Sequence, residues 1–147
     1  MQALGAVAPV ALSAGVQRMV RSDLGAADLI ALMHGFADAL AAHREGINRL
    51  NVYPVPDGDT GTNMALTLKS VCEEIDSSAG GDEERSADLV GVCKAISHGS
   101  LMGARGNSGV ILSQILRGLT DVLRDREPCD GPVLAAALEA AATGAYG

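Results

Sequence analysis

Apolar residues recur along this chain at steps of three, four and seven, and no stretch alternates with period two for long enough to make a strand. From about Ala26 to Leu50, one stripe carries Leu29, Met33, Phe36, Leu40, Ile47 and Leu50, with His43 on it as a packed residue at the core edge. Such a stripe leaves water only by lying against another, so the pattern predicts helices packed on helices. Met64, Leu68, Val71 and Ile75 mark a second helix, opened by Thr60 or Thr62 as N-cap. A third, over about 86–101, turns Leu89, Cys93 and Ile96 inward. Ile111, Leu112, Ile115, Leu116, Leu119 and Leu123 define a fourth, and alanine-rich Val133 to Tyr146 a fifth. The expected fold is all-α, an antiparallel bundle.

Composition supports this. Of 147 residues, 48% are hydrophobic but only 2% aromatic, and there is no Trp. One domain of that size can bury a core, and this core must be aliphatic, which suits helices better than a sandwich or barrel of strands. The net charge of -7 and pI near 4.8 argue against a nucleic-acid partner held through phosphates. An acidic protein still binds a nucleotide when a metal ion carries the neutralising charge. Three cysteines, Cys72, Cys93 and Cys129, lie far apart without a C-x-x-C pair, which fits inert thiols in the reducing cytoplasm.

Residues 1–22 read as a disordered Ala/Gly-rich leader ahead of a domain over 23–147. Its uncharged stretch "ALGAVAPVALSAGV" has no Lys or Arg before it, is broken by Pro9, and is too short for a transmembrane segment. "SSAGGDEERS", Ser77 to Ser86, reads as a polar linker with a solvated acidic run.

Two loops stand out. "NVYPVPDGDTGTNM", Asn51 to Met64, ends the first helix because Pro54 and Pro56 cannot continue it. Its Asp57 and Asp59 flank Gly58, and a turn there brings both carboxylates toward one point. A hard cation such as Mg²⁺ relieves their repulsion, and Asn51 can add a neutral oxygen. The competing reading is a helix start dressed with capping residues. The second loop is "MGARGNSG", Met102 to Gly109. Gly103, Gly106 and Gly109 let backbone N–H groups approach an anion, with Arg105 adding charge and Ser108 a hydroxyl. It lacks the Lys of a Walker A loop, and an ordinary turn between helices is the alternative. Together the two loops suit a metal–nucleotide site at helix ends. "DGDTGT" also matches a D-x-D-x-T phosphatase loop, but "YPVP" replaces the strand such a loop needs. An EF-hand reading from Asp57 fails at Thr62 and Leu68.

"INRLNVYPVPDGDTGTNM" and "SLMGARGNSGVILSQILRG" resemble the nucleotide-binding domain of the dihydroxyacetone kinases, over about residues 23–147. They are closest to the form heading the ATP-binding subunit of bacterial fatty acid kinase. The resemblance implies a barrel of antiparallel helices holding ATP or ADP and two Mg²⁺ at one end. It implies Asp57 and Asp59 as Mg²⁺ ligands, with Asn51 near the place of a third aspartate. It sets Thr60, Thr62 and Asn63 beside the phosphates, and Gly106, Asn107 and Ser108 around them. It further implies that the acceptor, a fatty acid or dihydroxyacetone, sits on a partner subunit. No His or Cys stands where a nucleophile or base is expected, which fits a chemistry of positioning and charge neutralisation. A non-catalytic ADP/ATP-binding regulatory module is the alternative of a different class. Family domains carry further helices that close the barrel and cover the adenine. The expectation is therefore of a fragment, inactive by itself and weak for ATP, whose parent can form a homodimer.

Overall fold

The computed structural model describes residues 22–79 and 88–146. Five helices follow one another: α1 Ala26–Leu50, α2 Thr60–Ala79, α3 Leu89–Gly103, α4 Gly106–Leu123 and α5 Gly131–Ala145. No strand occurs among the described residues, and the all-α bundle is confirmed. The expected leader falls outside the described residues except for Ser22, and so does most of the expected linker. Ser77, Ser78 and Ala79 of that linker belong to α2, where the two serine hydroxyls donate to the carbonyls of Glu73 and Glu74.

Local chemistry sets the ends. The Asp88 carboxylate accepts from the Gly91 N–H at 2.6 Å, which starts α3. Asp130 caps α5 by accepting from Val133 N–H, with Pro132 in the first turn, where a missing N–H costs nothing. Each helix packs chiefly on its neighbours in sequence, and α2 also meets α4. Gly99 and Gly103 of α3 lie against Val71 and Ser70 of α2, so these two helices run antiparallel. Gly118 and Gly144 likewise set α4 antiparallel to α5 against Ala140 and Gln114.

The core is aliphatic, as composition requires. Leu29 and Met33 of α1 share one buried cluster with Leu68, Val71 and Ile75 of α2, Val92 and Ile96 of α3, and Leu112, Leu116 and Leu123 of α4. Two residues of the first stripe depart from expectation. Leu50 is 80% exposed, because α2 begins level with Arg44 and Asn48 and the last turn of α1 runs past it. His43 is exposed too. A step of three from Leu40 turns it about 60° to the flank of the buried face. On α4, Leu112, Leu116, Leu119 and Leu123 are buried while Ile111 is half out of the core.

Candidate functional site

The chain between α1 and α2 is built on its own backbone bonds. Asn51 closes α1 by donating its N–H to the Asn48 carbonyl, and Asp57 N–H donates to Val55 O at 2.9 Å. Gly58 then takes φ +63, a left-handed conformation that other residues enter only with strain. That reversal delivers Asp59 to the amino end of α2, where its carbonyl accepts the Asn63 N–H at 2.8 Å. This is the first bond of the helix ladder, so the N–H groups of Thr60, Gly61 and Thr62 have no partner within the helix.

The second segment is shorter than its sequence suggests. α3 runs on to Gly103 and α4 begins at Gly106, leaving only Ala104 and Arg105 between them. Gly106, with φ +60, makes the corner. The first α4 ladder bond is Gly109 N–H to Arg105 O at 3.0 Å, so the N–H groups of Gly106, Asn107 and Ser108 remain without ladder partners.

Both amino ends open on one cleft of about 540 Å³. Asn51, Asp57, Asp59, Thr60, Asn63, Gly106, Asn107 and Ser108 line it, with Tyr53, Val55 and Ile111 supplying apolar wall. The Ser108 hydroxyl lies 3.5 Å from Thr60 Oγ1, bringing the two first turns side by side. Asn51 Nδ2 donates to Asp57 Oδ1, which holds that carboxylate toward the loop. Asp59 makes no side-chain hydrogen bond or ion pair among the described residues, so its oxygens are available. Two carboxylates beside an amide oxygen are hard donors, and Mg²⁺ needs few protein ligands because water and phosphate fill the rest. The residues present therefore fit such an ion. Among the described residues, no group of three or more His, Cys, Asp or Glu gathers as a metal centre.

Thr62, Gly103 and Arg105 are not brought to the cleft. Thr62 is taken by Asn48: its N–H donates to Asn48 Oδ1 at 3.1 Å and its hydroxyl accepts from Asn48 Nδ2 at 3.0 Å. Arg105 borders a separate groove with Ser70, Glu73 and Gly103. Of the three glycines expected to cradle an anion, only Gly106 borders the cleft. All three receive one stripe of α2. A Cβ on Gly103 would collide with Ser70, one on Gly106 would stand 2.5 Å from Asn63 Nδ2, and one on Gly109 2.5 Å from Thr67 Oγ1. Sequence reasoning passed over Asn48 and Thr67. A polar side chain one turn before the loop, and a threonine on the apolar side of α2, were the available signals.

A family model described as the DAK2 domain matches residues 54–147. The protein YloV of Bacillus subtilis (strain 168) is 44% identical over 111 residues, covering 75% of this chain and 19% of YloV. An uncharacterised protein of Staphylococcus aureus (strain USA300) is 43% identical over 110 residues, with the same shares. The matched stretch thus spans about a fifth of the length of these relatives.

Proposed function

Because this chain belongs to the DAK2 domain family, of dihydroxyacetone-kinase type, we propose that its cleft is the nucleotide-phosphate site of a phosphotransferase. Asp57 and Asp59 would hold Mg²⁺, two ions in all, with Asn51 keeping Asp57 in place and supplying an oxygen at need. The unpartnered N–H groups of Gly106, Asn107, Ser108 and Thr60, with the Asn63 amide, receive the phosphates of ATP or ADP. Bound Mg²⁺ supplies charge neutralisation at the phosphates. The chain's residues orient the γ-phosphate toward the open side of the cleft.

No His, Cys, Lys or Arg is among the residues lining the cleft. On this reading, and following the family resemblance, the acceptor is brought by a partner subunit, and we favour a fatty acid over dihydroxyacetone on the "NVYPVPDGDTGTNM" block. The thiols suit the cytoplasm: Cys72, Cys93 and Cys129 are all buried and unpaired. Among the described residues, no helix is long and apolar enough to cross a membrane.

The observation that carries this reading is that two acidic side chains and two helix amino ends line the same cleft. Titration with a non-hydrolysable ATP analogue, with and without Mg²⁺, tests it. Binding should require the metal and disappear in Asp59→Asn. Metal-independent binding, or binding that survives the substitution, would count against the site. Phosphate transfer to a fatty-acid-loaded or dihydroxyacetone-loaded partner then separates the two acceptors, and no transfer to either favours a nucleotide-binding regulatory module.

A further inference from the structure

We propose that Thr67 is a positioning residue for the phosphate-facing end of α4, an inference that rests on the phosphate reading above. Thr67 lies seven residues into α2 and is fully buried. Its hydroxyl donates to the Asn63 carbonyl at 2.8 Å and accepts from the Arg105 N–H at 3.2 Å. The first bond is ordinary for a threonine inside a helix. The second is not. Arg105 is the N-cap of α4, and its side chain makes no capping bond. Its N–H lies outside both helix ladders and is held across 38 residues of sequence by this one hydroxyl.

The surrounding contacts give the bond its leverage. Asn63, Thr67 and Ser70 share one face of α2 and meet Gly106, Gly109 and Gly103 in turn. Glycine at all three places lets α4 and the end of α3 seat directly on that stripe. Asn63, whose carbonyl Thr67 holds, lines the cleft itself, and so does Gly106, the residue after the tethered Arg105. One buried hydroxyl thus joins the two segments whose N–H groups face the cleft. Small displacements of oriented donors cost much of what they contribute, because the donors act only when already aimed.

Two NMR measurements on the chain test this: amide hydrogen exchange without ligand, and titration with ADP and Mg²⁺. In the wild type, the Arg105 amide should exchange far more slowly than an exposed loop amide. In Thr67→Val, which keeps the shape and removes the hydroxyl, it should lose that protection, and Mg²⁺–ADP affinity should fall five- to thirtyfold. Thr67→Ser, which keeps the hydroxyl, should restore the Arg105 protection and bind within twofold of wild type. An unprotected Arg105 amide in the wild type overturns the tether without any variant, so a Thr67→Val that does not fold leaves the test intact. Unchanged affinity in a folded Thr67→Val also overturns it. Absence of Mg²⁺–ADP binding by the wild type overturns the phosphate reading, and with it this role, while the Arg105 amide still reports whether the bond exists.

Discussion

The hydroxyls of Ser108 and Thr60 lie 3.5 Å apart, although 48 residues separate them in sequence. Each belongs to the first turn of a helix, where ladder partners are missing and the dipole presents its positive end. Placed side by side, the two ends favour an anion more than either does alone. Asp57 and Asp59 on the same cleft would repel that anion unless a cation stood between them. An anion bound together with a cation is consistent with both features, as the metal–phosphate reading proposed above requires.

That consistency gives the first prediction. Mg²⁺ alone should raise the melting temperature of the wild type, since a ligand that binds only the folded state stabilises it by mass action. Asp59→Asn should melt close to wild type without metal, because the change removes only a surface charge at a helix start, about 0.3–1 kcal/mol. Its Mg²⁺-dependent rise should vanish. A thermal-shift series in MgCl₂ reads both.

Asn48 should matter to stability although it does not border the cleft. Its amide makes two bonds to Thr62 and fixes α1 against the start of α2. Asn48→Ala should cost about 1–3 kcal/mol, since a partly buried N–H loses its acceptor. Asn48→Asp keeps an oxygen for the Thr62 N–H and should recover part of the loss. Urea denaturation of the three proteins decides it, and an Asn48→Ala as stable as wild type would refute the link.

Glycine substitutions should change sign with position. Gly35 of α1 has open space where a Cβ would go. Gly35→Ala should stabilise by about 0.5–1 kcal/mol through helix propensity. Gly118 of α4 sits against the Ala140 and Ala141 backbone of α5, which cannot yield as a side-chain tip would. Gly118→Val should destabilise by roughly 1–3 kcal/mol or more from overpacking. Chemical denaturation of both variants reads the two signs.

Periodicity revealed the five helices, and loop chemistry located the cleft, because both are local properties. α2 starts at Thr60, one of the two starts expected, though not with a threonine as its cap: Asp59 precedes the helix, and its carbonyl accepts the first ladder bond from the Asn63 N–H. What was not legible depends on residues distant in sequence. The glycines of "GARGNSG" look like an anion loop when read along the chain, yet Gly103 and Gly109 are buried against α2. Nothing near them in sequence reveals Ser70 or Thr67 as their partners. Periodicity also tells which residues share a face but not how far along the helix a partner reaches, which is why Leu50 was placed in a core that ends before it. Asn48 and Thr67 escaped for the same reason: each joins segments that only folding brings together.

Cys93 offers a prediction about pH. It is 1% exposed, and burial pushes its thiol up from an ordinary 9.0 to about 11. The Arg124 charge pulls the other way, and Cys129 adds slightly to the rise. The folded state thus holds this proton to higher pH than the unfolded chain does. The contribution is fully present below about pH 9 and is lost as pH climbs through 11. Two units correspond to at most ~3 kcal/mol. Cys72 and Cys129, both raised mainly by burial, act in the same direction. Urea denaturation at intervals from pH 8 to 11 should show stability falling in wild type. Cys93→Ala lowers stability at every pH by a cavity cost, but its slope over this window should be shallower, since the group that titrates has gone. Subtracting the two curves removes every other titrating side chain. A difference that stays flat from pH 8 to 11 would show that the Cys93 thiol ionises as readily folded as unfolded.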